Sequence, residues 1–416
     1  MPTHTGIFMS ARIYSRIDNR TYDLWTPNSG VALQSISVEV VQGQNNTIQI
    51  SLAMPYDLGI EYLESTLFAM DNVLLVQFGY PESGFYSAWY AGLIQKPDVT
   101  LGDTVEISLT GLGAGALAMG RSSSKSYKGT LQSIVLEMSQ RMGWEVDWKP
   151  SLGAEEVEIL ELNQNGESFW TCLVNLLNKY KRAFHFYSQD NGRNVLAVYP
   201  QLYSLSLPPS RSFVKWGVPN RALNEYPLIS FSTSQQVMIL PGSDRTLSAW
   251  LDMDGNVQSY EAKSGETLST LADGEAVAAP DTPKDQIHPE TGNKISISMQ
   301  PDETGATTQV SPPGTGFGVP NSTLEQLAKN SIPKVTESFQ ASCSTIGIPN
   351  LLPGELVQIK GCSRYFDGAY TVTKVTHQVS ESGYTSEFEV TRYYDSILVS
   401  PVKAPAPQNT LPTKPG

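Results

Sequence analysis

The chain has 416 residues, enough for two to four domains at roughly 100 to 200 residues each. It carries 28 Lys and Arg against 41 Asp and Glu, a formal charge of −13, which disfavours gripping a nucleic-acid backbone or an anionic membrane through a basic face. Apolar residues at 40% exclude a wholly disordered chain, and the 33 Gly, 27 Pro and 19 Tyr suit short strands and turns better than long helices.

The N-terminus, Met1-Pro2-Thr3-His4, has no basic segment followed by an apolar run, and no stretch reaches the roughly 18 apolar residues of a membrane span. The expectation is a protein made in a cytoplasm with no membrane insertion. From Val31 to Leu52 apolar residues alternate: Ile36, Val38 and Val40, then the turn Gly43-Gln44-Asn45-Asn46, then Ile48, Ile50 and Leu52. That pattern predicts a hairpin with one buried face, and makes Asn45-Asn46-Thr47 a turn rather than a glycosylation site. A short helix is expected around Leu58 to Met70, then strand-like runs at Val73 to Phe78, Tyr86 to Gln95 and Thr104 to Thr110, together a small barrel or sandwich. Gly111-Leu112-Gly113-Ala114-Gly115-Ala116 fits G-x-G-x-x-A, but the strand before it alternates, so a flexible interdomain joint is expected instead of a dinucleotide site.

Between Thr130 and Tyr199 the pattern changes. Leu131, Ile134, Val135, Met138 and Met142 fall at helical spacing, with Thr130 placed to cap the start and Gly143 the end. A second helix is predicted from about Ser168 to Lys181, then a hairpin, Ala183 to Tyr187 and Val195 to Tyr199, around Asp190-Asn191-Gly192. This is a separate α+β module. Glu155, Glu156, Glu158 and Glu161 could supply the carboxylate pair of a glycoside hydrolase, but on a strand near a surface loop they read as a solvated face.

Pro241 to Pro333 is rich in Gly, Pro, Thr and Asp and reads as loop. Asp252-Met253-Asp254-Gly255-Asn256 lacks the Gly and the bidentate Glu of a calcium loop and is read as a hairpin turn. Strands resume at Pro353 and run to Arg392, ahead of a proline-rich tail. Cys172, Cys343 and Cys362 form no metal or disulfide pattern, the four histidines are scattered, and no Ser sits in G-x-S-x-G. The sequence therefore names no catalytic residue, no cofactor and no metal ligand.

Residues 75 to 110 align without gaps on 356 to 391, an offset of 281, with nine identities: Leu75/Leu356, Val76/Val357, Gln77/Gln358, Phe85/Phe366, Ala88/Ala369, Gly102/Gly383, Thr104/Thr385, Glu106/Glu387 and Thr110/Thr391. Trp89/Tyr370, Ile94/Val375 and Ile107/Phe388 keep apolar character. Leu33, Ser35, Ile36 and Ser37 align on Leu228, Ser230, Phe231 and Ser232 at an offset of 195. The two offsets differ by 86 residues, an insertion that falls where the Gly/Pro-rich region lies. One β-domain is thus duplicated, its second copy split.

In the C-terminal run, Leu352-Pro353-Gly354-Glu355-Leu356-Val357-Gln358-Ile359-Lys360-Gly361 opens on a Pro-Gly turn, Phe366-Asp367-Gly368-Ala369-Tyr370 supplies an Asp-Gly turn, and Gly383-Tyr384-Thr385 starts the last strand. The run resembles the late control protein D family, the baseplate hub proteins of contractile phage tails, related to the trimeric hub of T-even phages and to the hub part of type VI secretion spikes. The residues that carry the likeness are Pro353, Gly354, Gly361, Phe366, Asp367, Gly368, Tyr370, Gly383 and Tyr384.

The resemblance implies a mainly β protein with two tandem tube-type β-barrels, the second discontinuous, plus an α+β domain and an insertion. The divisions are expected at 1–111 for the first barrel, 112–206 for the α+β module, 207–241 and 331–395 for the second barrel, 242–330 for the insertion and 396–416 for the tail. It further implies a structural virion protein at the tail baseplate, made in the host cytoplasm. That protein is a homotrimer whose pseudo-sixfold ring adapts a hexameric tail tube to a trimeric spike. Its partners would be the tail tube protein, the spike and other baseplate proteins, with DNA passing through the channel unread. A cell-wall hydrolase using Glu155 to Glu161 and a carbohydrate-binding protein using Trp89, Tyr90, Trp144 and Trp148 are the rival readings.

Overall fold

The computed structural model describes residues 6–24, 29–70, 72–149, 158–180, 182–189, 193–200, 209–220, 223–237, 245–251, 257–263, 286–287, 294–295, 308–309, 337–363 and 366–393. The first part of the chain forms β1 (Phe8–Ser15), β2 (Arg20–Asp23), β3 (Ala32–Val41), β4 (Thr47–Pro55), α1 (Tyr56–Glu64), β5 (Val73–Tyr80), β6 (Phe85–Tyr86), β7 (Tyr90–Ile94), β8 (Asp98–Leu101) and β9 (Thr104–Leu112). The expected hairpin is present: β3 and β4 pair with Ile36 opposite Ile50 and Val38 opposite Ile48, all four buried. The helix begins and ends earlier than the spacing predicts, at Tyr56 and Glu64. The run Tyr86 to Gln95 is broken, because the backbone of Trp89 turns away to bridge Ser188.

The middle module comprises α2 (Gly115–Gly120), β10 (Ser122–Thr130), α3 (Leu131–Met142), β11 (Glu145–Trp148), β12 (Glu158–Ser168), α4 (Phe169–Lys179), β13 (Arg182–Ser188) and β14 (Asn194–Pro200). Both helix starts follow from side-chain caps. Thr130 Oγ1 accepts from Ser133 N at 3.2 Å and Ser168 Oγ from Thr171 N at 3.0 Å, while Gly143 closes α3 at φ 75°. The inner faces of α3 and α4, Ile134, Val135, Leu173 and Leu177 among them, pack on Phe184, Phe186, Leu196 and Val198 of the β11-β14-β13 sheet.

Next come β15 (Arg211–Val214) and β16 (Glu225–Val237), then β17 (Arg245–Leu251), β18 (Val257–Lys263), β19 (Gln286–Ile287), β20 (Lys294–Ile295) and β21 (Thr308–Gln309), and last β22 (Glu337–Ile346), β23 (Leu356–Lys360), β24 (Gly368–Ser380) and β25 (Gly383–Tyr393). β17 and β18 pair with Leu251 opposite Val257, which makes 252–256 a hairpin connection whose own residues lie outside those described.

Strands β15, β16, β22, β25, β24 and β23 pair in a closed ring. In the first unit the order β1-β5-β7-β9-β4-β3 is the same cyclic order, with β1, β5, β7, β9, β4 and β3 in the places of β15, β23, β24, β25, β22 and β16. Each copy also carries a register shift at the same point, between Leu33 and Ser35 in one and between Leu228 and Ser230 in the other, positions equivalent at the offset of 195. Two changes separate the copies. β15 lies parallel to both its neighbours where β1 is antiparallel to β5. And Tyr90, not Trp89, is the counterpart of Tyr370, since each faces an equivalent valine, Val76 or Val357.

The two units share one 15-stranded sheet because β24 pairs with β3, Lys374 to Ser380 against Val41 to Ser35. Val379 and Tyr384, at the tip of the β24–β25 hairpin, are buried in the first core, not the second. The β3–β4 turn ties in the middle module: Gly43 N donates to Phe184 O at 2.8 Å, and the buried Asn46 gives Nδ2 to Phe186 O at 2.7 Å. Gly113 and Gly115 press against Asn45, Asn46 and Trp170, where a Cβ would come within 2.9 Å and 2.2 Å of the nearest atoms. The glycine run is thus a packed corner and not the loose joint the sequence suggests.

Two left-handed glycines separate strain from crowding. Gly354, at φ 88°, would put a Cβ 2.6 Å from the Tyr199 ring, whereas Gly143, at φ 75°, has nothing within 4 Å. Gly143→Ala is expected to cost about 1 kcal/mol and Gly354→Ala about 2–3 kcal/mol, read as a clearly larger fall in melting temperature for the second. Equal falls would mean that the Gly354–Tyr199 contact carries no stability.

Candidate functional site

The feature that sets this fold apart is one face of the continuous sheet β16-β22-β25-β24-β3-β4-β9. Alternation sends Ile36, Val38, Ile50, Leu109, Val375, Phe388 and Cys343 into the cores. The residues between them form cross-strand rows on the opposite face. One row runs Ser230, Ser344, Glu387, Thr376, Glu39, Thr47. The next runs Thr385, Gln378, Ser37, Gln49, Thr110, and a third Ser380, Ser35, Ser51, Ser108, Asp98. A fourth runs Ser232, Ser342, Glu389, Lys374.

Lys374 is the one basic side chain in these rows. It is held at 2.8 Å from Glu39 Oε2 and 3.9 Å from Glu389 Oε1, so its charge is answered on the face itself. What remains is a hydroxyl- and amide-rich surface with a net negative charge and no aromatic ring. Such a surface has nothing to stack on bases and nothing to grip phosphates.

Behind this face, where the two units meet, lies a buried polar cluster. His377 Nδ1 is 2.9 Å from Tyr384 OH and 3.2 Å from Ser386 Oγ, and Ser386 Oγ accepts from Ile348 N at 2.9 Å. Phe78 of the first unit packs on both rings, at centroid distances of 5.1 Å from His377 and 5.3 Å from Tyr384. Tyr80 OH donates to Gly347 O, and Gly347 leaves room for the Tyr384 ring, which a Cβ there would meet at 2.1 Å. Burial pushes the His377 pKa down to about 3, against a hydrogen bond involving the Leu351 backbone that raises it and the Arg211 charge that lowers it further. His377 is therefore neutral at ordinary pH. The sequence reading missed His377, Ser386 and Gly347, although a histidine between Val375 and Val379, on the core side of a strand, was the available signal.

The motif residues are turn and packing devices of the second ring. Pro353 is buried, and Gly354 N donates to Val372 O at 2.8 Å. Asp367 closes the β23–β24 connection by accepting from Gly361 N at 3.0 Å and Cys362 N at 2.8 Å, Phe366 O accepts from Tyr370 OH at 2.8 Å, and Gly368 leaves space for the Arg392 guanidinium. Gly383 lies in the hairpin turn and Tyr384 in the seam. The structure thus gathers Gly361, Asp367 and Gly368 at the β23–β24 turn, leaves Gly354 at the opposite end of β23, and sends Tyr384 to the other unit.

The rival sites do not assemble. Trp89, Tyr90 and Trp144 are buried and Trp148 is half-buried with Arg182 4.6 Å over its ring, so they present no sugar platform. Glu155 and Glu156 lie outside the described residues, while Glu158 and Glu161 fall on β12. His185 and His377 sit in different cores, His4 and His288 are outside the described residues, and no group of three metal-binding side chains occurs among those described.

No family model matches the sequence, and no curated protein matches it. Solved structures do match in fold. A tail protein from Neisseria meningitidis MC58 superposes at a TM-score of 0.53 and 12% identity, over 94% of this chain and 97% of that one. The 43 kDa tail protein of prophage MuSo2 from Shewanella oneidensis gives 0.51 and 11%, over 92% and 96%. A chain of the lidded Francisella PdpA–VgrG complex gives 0.50 and 10%, over 99% of this chain and 54% of that one. The chain has the fold of phage tail proteins.

The seam histidine makes a pH prediction. In the unfolded chain His377 titrates near 6.5, in the folded chain near 3, so below pH 6.5 only the unfolded state gains the proton. Its share of stability is complete above pH 6.5 and is lost as pH falls toward 3, at about 1.4 kcal/mol per pH unit. Melting curves from pH 7 to 4 should therefore fall less steeply for His377→Gln than for the wild type, whatever the offset between them; parallel curves would show that the seam does not keep His377 neutral.

Proposed function

We propose that this chain is the central hub of a contractile-tail baseplate, a structural virion protein made in the host cytoplasm. It acts as a homotrimer whose paired units form a pseudo-sixfold ring between a hexameric tail tube and a trimeric spike. The observation that carries this reading is the continuous sheet joining two equivalent units, with a polar, acidic face whose single row lysine is already paired. Three chains of two units give six near-equivalent positions, matching sixfold tube and threefold spike in one chain type. The fold shared with phage tail proteins supports the same placement.

In this reading the acid-and-hydroxyl face lines the channel. Phosphates are repelled by Glu39, Glu106, Glu387 and Glu389, and the serine and threonine rows stay hydrated, so DNA passes without adhering. The divisions at 1–111, 112–206, 207–241 with 331–395, 242–330 and 396–416 go with this proposal. Glycine and aspartate of the Pro353 to Tyr384 motif serve as the ring's turns, and tube, spike and other baseplate proteins are the partners. The chain works without catalysis, cofactor or metal.

Light scattering on the purified chain is expected to give about three times the 45.5 kDa chain mass, with six similar lobes in particle averages. The wild type should not retard duplex DNA at low salt, whereas Glu39→Lys combined with Glu387→Lys and Glu389→Lys should. A stable monomer would remove the trimer, and a lysis band in peptidoglycan zymography that vanished in Glu158→Gln or Glu161→Gln would replace the structural reading with a hydrolase.

A further inference from the structure

Among the described residues two strand edges have no strand partner, and they are the counterparts of two edges that pair with each other within the chain. β16 is held by β22 from Leu228 to Val237, but on its other side β15 reaches only Glu225 to Pro227. Beyond Pro227 no strand among the described residues pairs with that edge. In the first unit the same edge, that of β3, is filled by β24.

The second edge belongs to β8. It pairs with β9 on one side, Asp98 opposite Ser108, as β24 pairs with β25, Lys374 opposite Glu389. Ser108 and Glu389 are equivalent at the offset of 281, so Asp98 is the counterpart of Lys374, and β8 that of the half of β24 which binds β3. The other side of β8 has no strand partner among the described residues, and all four of its residues are exposed.

We propose that β8 of one copy pairs antiparallel with the β16 edge of a second copy, repeating between chains the β24–β3 junction found within each. Transferring the internal register puts Asp98 opposite Gln236, Thr100 opposite Ser234 and Gly102 opposite Ser232. The contact joins two different patches, so every copy offers one of each, and successive contacts form a ring if the rotation closes. The polar rows would then run on from chain to chain.

Two further observations favour a second copy as the occupant. Val99 and Leu101 lie on the core side of β8 yet are 38% and 59% exposed, whereas their counterparts are completely buried, Val375 in the second core and His377 against Phe78 of the first unit. On β16 itself Ile229 is 53% exposed, and in the segment that follows β15 Trp216 and Val218 are 75% and 94% exposed. The edge from Leu228 to Val237 has no charge and no proline, the devices that keep a strand edge from pairing. The Ile229 carbonyl there accepts from Lys215 Nζ.

The inference rests on the ring reading in requiring self-assembly, and adds to it which edges meet and in what register. Directly opposed residues of an antiparallel pair have Cα atoms about 4.5–5.5 Å apart, within disulfide reach. Full-length Thr100→Cys and Ser234→Cys proteins, mixed and mildly oxidised, should give a disulfide dimer mapped by mass spectrometry to positions 100 and 234. Its yield should be at least ten times that of a Val99→Cys and Ser234→Cys mixture, whose thiols point to opposite faces. Asp98→Cys with Gln236→Cys is a second pair in the same register, should either first variant fold poorly. An oligomer by light scattering with neither pair exceeding the control overturns the edge pairing and leaves self-assembly standing. A monomer at every concentration, with no cross-link, overturns both.

Discussion

The sheet that joins the two β-units runs through β24. A strand has two hydrogen-bonding edges, and from Thr371 to Ser380 β24 gives one of them to β25. The other edge is divided between β23, which takes Gly368 to Thr371, and β3, which takes Lys374 to Ser380. The division falls where the register with β25 shifts, between Val372 and Lys374. A bulge bends a strand and sharpens its twist, and here it turns β24 out of its own ring and into the neighbouring sheet. The carbonyl of Thr373, at the bend, accepts Gln42 N at 2.9 Å from the β3–β4 turn, so the departure leaves that group paired.

The same turn fixes the third part of the molecule. Gln42, Gly43, Asn45 and Asn46 reach β24, β13 and the Gly113 to Gly115 corner within five residues. Each buried hydrogen bond contributes only about 1 kcal/mol net, but leaving one partner unpaired costs about 1–3 kcal/mol, so the turn works chiefly by penalising every other docking. The His377–Tyr384–Ser386 cluster acts likewise on the seam. Val379 and Tyr384 bury apolar surface in the first core, on the order of 2 kcal/mol each. The polar atoms beside them accept one registration of the hairpin.

Local signals were legible in the sequence, and pairing partners were not. Thr130, Gly143 and Ser168 announce their helix ends because capping involves neighbours three or four residues away. In β24 the inward side chains alternate at Tyr370 and Val372 and again at Val375, His377 and Val379, with a change of phase at Thr373-Lys374 where the bulge lies. Nothing within it names β3, more than 300 residues earlier, as its partner. The repeat was visible as identities, but a gap-free alignment misplaces β8. Pro97 has no N–H and ends the pairing of β7, so Asp98 takes the place of Lys374 where the alignment offers Val379. Glycines mislead in the opposite direction, since the spacing Gly111, Gly113, Gly115 reads as looseness until Trp170 and Asn46 arrive from elsewhere in the chain.

The charge pattern of the polar face bears on where such a face can act. With Lys374 held between Glu39 and Glu389, the rows have no free cation, and their carboxylates are spread thinly among hydroxyls. At physiological ionic strength such charges are screened within about 8 Å. On an open surface they would hardly alter the approach of a polyanion from solution. Their repulsion matters where a polyanion is confined within that distance, and there it acts on all sides at once. In the hub proposed above, a lysine added to these rows would hold a passing phosphate, so rows without a free cation suit that use.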